Sequence, residues 1–151
     1  MLASFVRSRY GKPLLVHRDH VYLLNRKSNN RKHFWFCVQR RPHACKGNAL
    51  TLGSTCDDVT SIVVKATGHT HPPSPASVKV YDAVAHLRRK ALESDASALT
   101  LRQQLFTAVE PEVAALLPSV ESMTRCINRW RNNRERVALT HKYVADEKPA
   151  K

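Results

Sequence analysis

Residues 34–47 read FWFCVQRRPHACKG and predict a strand that runs into a turn, with a cysteine on each side of that turn. The aromatic run at the start favours a strand, because such side chains pack well on a pleated surface. Seven residues separate Cys37 from Cys45, and Arg41-Pro42 lies among them. This spacing lets the chain turn back, so that the two cysteines face each other.

Two histidines, His69 and His71, follow, and 23 residues separate Cys45 from His69. Residues two apart in an extended chain point to the same side, so both rings are available to one site. Two thiolates and two imidazoles are a ligand set that zinc takes in closed, structural sites. From spacing alone, buried free cysteines with surface histidines are an equally good interpretation, and His43 is an alternative ligand.

The residues around this pattern predict a small antiparallel sheet of four to five strands with short connections. A part of about 70 residues is marginal with a hydrophobic core alone, so a metal staple is expected. The remaining histidines of this part, His17, His20, His33 and His43, are predicted to be exposed. The predicted strands cover residues 14–16, 21–24, 34–38, 49–52 and 62–64.

The second part of the chain is predicted to be helical. Three prolines at positions 72, 73 and 75 end the first part, and Ser74-Pro75 is typical of a helix start. Apolar residues then recur at helical spacing, which predicts three to four helices. The fold class is therefore α+β: a zinc-stabilised domain at 1–72, a Pro-rich linker at 73–76, a helical region at 77–143 and a disordered tail at 144–151.

The charge is strongly positive and unevenly distributed. The chain has 25 Lys+Arg and 12 Asp+Glu, a net charge of +13. Residues 1–72 hold 12 basic and 3 acidic residues, so they carry +9. Such a charge favours a polyanionic partner, either nucleic acid or an anionic surface.

Other functional classes lack support in the residues. No apolar run approaches the ~18–20 residues of a membrane span, and Arg7 and Arg9 interrupt the N-terminus, so we expect no secretory signal. Paired carboxylates, a nucleophile with a nearby base and a Gly-rich phosphate loop are all missing from the pattern. We therefore expect neither an enzyme nor a small-molecule substrate.

Several short motifs occur in order along the first part of the chain: Arg9-Tyr10-Gly11-Lys12-x-Leu14, Val21-Tyr22, Trp35-Phe36-Cys37, Cys45-Lys46-Gly47, Thr51 and His69-Thr70-His71. Together they resemble the FLYWCH-type zinc finger, which is similar to the plant WRKY and the GCM-type zinc domains. This resemblance implies a small sheet closed by one structural zinc on Cys37, Cys45, His69 and His71. It also implies that Tyr22 and Trp35 lie in or near the core. One departure is the residue after Cys45-Lys46-Gly47, where Asn48 stands in place of an arginine that is common in the family.

The helical part has a looser resemblance of its own. Residues 117–131, with Leu117-Pro118-Ser119 followed by alternating apolar residues and arginines, are similar to a helical region that precedes Mutator-like transposase domains. This implies a transposon-derived module without the catalytic part. The basic last segment is either a helix-turn-helix-like reader or an ordinary amphipathic helix with a solvated face.

Taken together, the residues and the resemblance predict a nuclear, zinc-dependent protein that binds double-stranded DNA and regulates transcription or chromatin. An adaptor that contacts chromatin proteins is the alternative. Basic side chains on strand loops reach phosphates and guanine edges in known β-type readers. The candidate nucleic-acid contacts are Lys12, Arg26, Lys27, Arg31, Lys32, Arg40, Arg41, Lys46, Arg125, Arg129 and Arg131.

Overall fold

A computed structural model describes residues 1–146, with side chains described as far as Arg136. The chain divides into two compact units, the first covering Met1–Ala85 and the second beginning at His86. The division falls inside a helix rather than in the proline-rich stretch at 73–76. The elements are β1 (Ser4–Arg7), β2 (Pro13–His17), β3 (His20–Lys27), β4 (Lys32–Cys37), β5 (Asn48–Leu52), β6 (Ile62–Ala66), α1 (Pro75–Glu93), α2 (Ala98–Ala108), α3 (Pro111–Leu116) and α4 (Val120–Asp146).

The first unit contains a six-stranded antiparallel sheet in which every strand pairs with its neighbours in sequence. This confirms the α+β class, but the prediction of four to five strands is too low. The sheet curls on itself and brings its two ends together. Leu2 forms an isolated bridge with Ile62, and the N–H of Ala3 donates to the carbonyl of Ser61 at 2.8 Å. Its first strand thereby reaches its last.

Curling gives the sheet an inner and an outer face. The inner face buries a core that includes Tyr22 and Trp35, each 1% exposed, as the resemblance implies. The indole N–H of Trp35 donates to Thr51 Oγ1 at 2.9 Å, so the polar atom of this buried ring is satisfied. On the outer face, Val78 and Tyr81 from the start of α1 pack on β1, β2 and β3.

Helix α1 begins at Pro75, as the Ser74-Pro75 pair predicts, so the second half of the linker predicted at 73–76 is helical. The N–H of Ser77 donates to Ser74 Oγ, and the N–H of Thr100 donates to Ser97 Oγ, so a serine caps α1 and α2. The core of the second unit buries Leu101 and Leu105 of α2 and one face of α4. Helix α4 continues to Asp146, so the start of the tail predicted at 144–151 is helical, and residues 147–151 lie outside the described part. No described helix has the length and apolar character needed to cross a membrane.

Candidate metal centre

Four side chains from three segments of the first unit meet beside the sheet. Cys37 ends β4, Cys45 lies in the loop before β5, and His69 and His71 follow β6. One donor atom from each residue lies within 4.8 Å of the other three. Both cysteines are fully buried, whereas the histidines are half-buried at the edge.

The distances between these donors match those of a tetrahedral zinc site. The Sγ of Cys37 lies 3.2 Å from Nε2 of His71, and the Sγ of Cys45 lies 3.3 Å from Nδ1 of His69. With Zn–S near ~2.3 Å and Zn–N near ~2.0 Å, tetrahedral ligands place sulfur and nitrogen about 3.5 Å apart. The four residues therefore fit one structural zinc, and they leave no ligand position for a substrate.

The backbone favours thiolate at this site. The N–H of Gln39 donates to the Sγ of Cys37, and the N–H of Gly47 donates to the Sγ of Cys45, both at 3.4 Å. Burial opposes ionisation of Cys45, but the N–H groups of Thr70 and Gly47 lower its pKa to about 7. Burial raises the pKa of Cys37 to about 11, although the backbone N–H of Gln39 acts in the opposite direction. Cys37 and Cys45 would both hold a zinc ion as thiolates, so binding of the metal would release any proton that they carry.

The second nitrogen of each histidine has its own partner. Nε2 of His69 lies 2.7 Å from the hydroxyl of Tyr22, and Nδ1 of His71 lies 3.1 Å from the carbonyl oxygen of Pro72. A proton on each of these nitrogens donates to the oxygen, which leaves Nδ1 of His69 and Nε2 of His71 free to bind metal. Burial, followed by the neighbouring His20 and His71, lowers the pKa of His69 to about 4, so its ring is neutral as a ligand must be.

Two residues next to His69 fix the position of its ring. The ring of His20 stacks on it with a centroid separation of 3.6 Å and parallel planes. Gly47 is buried next to the same ring, and a Cβ atom there would lie 2.5 Å from Cε1 and Nδ1 of His69. Only glycine leaves room for the ring, and this explains Gly47 in a way that its place in the motif did not.

The predicted exposure of the other histidines is partly wrong. His33 is 4% exposed, because its side chain points to the inner face of β4 together with Trp35. His20 is half-buried against the metal ligands. His43 is exposed and is not among the four clustered donors, so it is not the alternative ligand.

The basic residues predicted on strand loops form two groups at opposite ends of β4. All seven are exposed, and the stretch 20–48 that contains them has no acidic residue. The hairpin group flanks the turn between β3 and β4, and the loop group lies around the two cysteines. The hairpin group is Arg26, Lys27, Arg31 and Lys32, and the loop group is Arg40, Arg41 and Lys46. Lys12 is also exposed and lies in the turn before β2.

Two of these arginines contact aromatic rings on the outer face of the sheet. The guanidinium carbon of Arg26 lies 4.4 Å from the ring centre of Phe34, and that of Arg40 lies 5.3 Å from the ring centre of Phe36. Phe34 and Phe36 are two residues apart on β4 and therefore share a face. The two groups thus present a guanidinium over the same face of one strand.

The three arginines predicted on the last helix do not lie together. Arg125 and Arg129 are exposed on α4. Arg131 points elsewhere: its guanidinium donates to the carbonyls of Ala91, Ser94 and Ala96 at 2.8–2.9 Å. These carbonyls belong to the end of α1 and the connection after it, so Arg131 satisfies groups that a helix end leaves without partners. We assign Arg131 a structural role and remove it from the predicted nucleic-acid contacts.

The comparisons with known proteins agree with this centre. Residues 5–71 match the FLYWCH zinc finger domain family. No curated protein sequence is significantly similar to the chain. The match starts in β1, ends at the last of the four ligands and includes the whole metal centre. Residues 5–71 of this chain are therefore a FLYWCH zinc finger domain, with Cys37, Cys45, His69 and His71 as its zinc ligands.

Proposed function

We propose that the protein binds double-stranded DNA in a zinc-dependent manner and acts in the nucleus, as a regulator of transcription or chromatin or as a transposase-derived DNA-binding module. One observation carries this proposal. Arg26 and Arg40 lie over Phe34 and Phe36, so both basic groups share the outer face of β4. A zinc finger domain with such a face has the chemistry of a polyanion-binding module.

The dimensions of this face suit a duplex. From Lys32 to Cys37, β4 is about 17 Å long at ~3.4 Å per residue. The basic groups at its two ends therefore span more than the ~12 Å width of the major groove, and can neutralise phosphates on both of its sides. All charged side chains between residues 20 and 48 are basic, so the segment that carries both groups contributes no carboxylate that would repel the phosphates.

The metal centre and this surface share one loop. Cys37 and Cys45 bracket the loop that holds Arg40 and Arg41, and Lys46 follows directly. Metal binding to both cysteines closes the loop and holds its basic side chains in place. Since a site of this kind rarely exists in an unfolded chain, the free energy of zinc binding is folding free energy. DNA binding by this face should therefore require zinc.

We propose no catalytic role. All four clustered donors are protein side chains, and a catalytic zinc needs an open position for water or substrate. The domain thus uses zinc to hold its fold and leaves its charge for the partner.

Selection from a randomised duplex library tests this function. Zinc-loaded full-length protein is incubated with the library at 50 and 200 mM salt, next to protein treated with a chelator. We expect one enriched motif that disappears with the chelator. Equal recovery of random sequence with and without the chelator would contradict zinc-dependent recognition.

An adaptor that binds chromatin proteins is a second candidate, because the helical unit exposes apolar side chains. Leu99 is 54% exposed, Phe106 47% and Leu116 51%. Leu99 and Phe106 are seven residues apart and therefore share one side of α2. The double variant Leu99→Ser/Phe106→Ser tests this function. It is supported if the variant still binds DNA but no longer captures a nuclear protein that the wild type retains. Unchanged capture of that protein argues against an adaptor.

A further inference from the structure

Helix α4 has two opposite faces of different chemistry. One face buries Met123, Ile127 and Trp130 in the core of the helical unit. The opposite face is exposed and holds a stripe of arginine and asparagine side chains, which line one shallow depression together with Asn133 and Glu135. We name this stripe the Arg/Asn face; its members are Arg125, Asn128, Arg129, Asn132 and Arg136.

The spacing of these residues makes the face continuous. At about 100° per residue, the five side chains lie within about 100° of one another around the helix axis. From Arg125 to Arg136 the helix rises about 16 Å, at ~1.5 Å per residue. This length matches about five base pairs of a duplex, at ~3.4 Å per pair along one strand.

The two residue types on this face are those that read base edges in the major groove. Arginine donates two hydrogen bonds to O6 and N7 of guanine, and asparagine pairs in the same bidentate way with N6 and N7 of adenine. A face intended only for solubility needs no asparagine, since Asn has a lower helix propensity than Lys, Glu or Gln. Asn128 and Asn132 are four residues apart, and both are exposed.

The other two arginines of this segment of α4 do not belong to the Arg/Asn face. Arg131 and Arg134 point to the opposite side, where they donate to carbonyl groups around the end of α1. The sequence cluster of five arginines is thus divided by the fold: two stabilise the unit and three belong to the exposed face. Glu135, at the edge of the depression, is the single acidic residue among those that line it.

We propose that the Arg/Asn face of α4 is a second DNA-reading surface, which enters a major groove and recognises adenine through Asn128 and Asn132. Arg125 and Arg129 contact guanine edges or phosphates beside them. This surface lies in the helical unit, outside the zinc domain, and shares with the proposed function the claim that the chain binds duplex DNA. The recognised site then has two blocks, one for each surface.

The test compares motifs selected from a randomised duplex library by three zinc-loaded, full-length proteins. They are the wild type, Asn128→Ala/Asn132→Ala, and the matched control Gln103→Ala/Gln104→Ala on the exposed side of α2. Alanine is the better helix former, so the double variant should fold, and its far-UV circular dichroism verifies this. A fourth protein, Arg26→Ala/Arg40→Ala, reports on the zinc-domain block.

We expect the wild type and the control to select an adenine-containing block that the asparagine variant loses. The preference for adenine over other bases should fall by about tenfold at each contacted base. The zinc-domain block should remain in that variant and weaken in Arg26→Ala/Arg40→Ala. A motif in the asparagine variant identical to that of the wild type would overturn the inference, and this is also the outcome if the face binds RNA or protein. If the wild type binds no duplex in a zinc-dependent manner, the proposed function fails as well.

Discussion

The ring of His69 occupies the space that a side chain at Gly47 would need. An added Cβ atom would lie 2.5 Å from two atoms of the imidazole, one of which is the metal-binding Nδ1. Cβ atoms do not approach other atoms so closely, so either the ring or the backbone must move. The glycine that follows Cys45-Lys46 is therefore part of the metal centre, although it binds no metal.

Gly47→Ala should lower the affinity for zinc by at least about tenfold, because a misplaced ligand weakens a closed tetrahedral site. Competition with a chromophoric chelator measures this change. Gly68→Ala is the matched control, since a Cβ atom at Gly68 meets nothing within 4 Å. Equal affinities for the two variants would show that the His69 ring adapts to the added methyl group.

Tyr22 controls the same ligand through a hydrogen bond. Tyr22→Phe keeps the buried ring but removes the hydroxyl that lies 2.7 Å from Nε2 of His69. Loss of a partner that orients a ligating histidine typically costs about 10- to 100-fold in metal affinity. We expect a loss at the lower end, measured by the same competition, and no loss for Tyr81→Phe on the outer face. An unchanged affinity for Tyr22→Phe would mean that burial and the stacked His20 hold the ring without this bond.

Loss of a zinc ligand should unfold the first unit. Cys37→Ser removes a buried sulfur ligand, and zinc binding contributes on the order of 10 kcal/mol to the folding of small zinc domains, more than a core of this size can replace. Tryptophan fluorescence, to which the buried Trp35 and Trp130 both contribute, and zinc content measured by mass spectrometry follow the change. Cys126→Ser, outside the cluster, should retain both signals. Native fluorescence in Cys37→Ser without bound zinc would contradict this.

Arg131 should contribute to stability rather than to DNA binding. Its guanidinium donates three hydrogen bonds to carbonyl oxygens near the end of α1. Arg131→Ala leaves these groups without their partner, and we expect a loss of about 2–3 kcal/mol in the free energy of unfolding of the helical unit. Urea denaturation followed by circular dichroism measures it. Arg125→Ala, on the exposed face, should change stability by less than about 0.5 kcal/mol.

Much of the first unit can be predicted from sequence, because strand-forming runs and turn residues alternate clearly after residue 13. The missing strand, β1, has only Phe5 and Val6 as apolar residues in four positions, and it forms because it pairs with β2. A strand that depends on pairing with another strand has no recognisable pattern in its own residues. The zinc ligands could be found from spacing and resemblance, whereas the roles of Tyr22, His20 and Gly47 depend on contacts between distant segments.

Charged side chains were harder to assign from the sequence. The clustering of arginines between 125 and 136 shows that the segment is basic. The direction of each side chain, however, depends on which face of the helix packs against the rest of the unit. Arg131 and Arg125 differ in role for this reason alone. The burial of His33 likewise follows from its register on β4, where it lies opposite the buried Thr51.

If zinc holds a basic sheet surface that binds duplex DNA, binding must depend on both the salt concentration and the metal. The most direct measurement is the dissociation constant of the full-length protein for a 20-base-pair duplex between 50 and 200 mM salt, with zinc bound and after its removal. Zinc-loaded protein should lose at least about tenfold in affinity over this range if several phosphates are contacted, Arg26→Ala/Arg40→Ala should give a shallower slope, and zinc-free protein should bind far more weakly. A flat salt profile, or equal binding without zinc, would show that the protein does not bind DNA through a zinc-dependent basic surface.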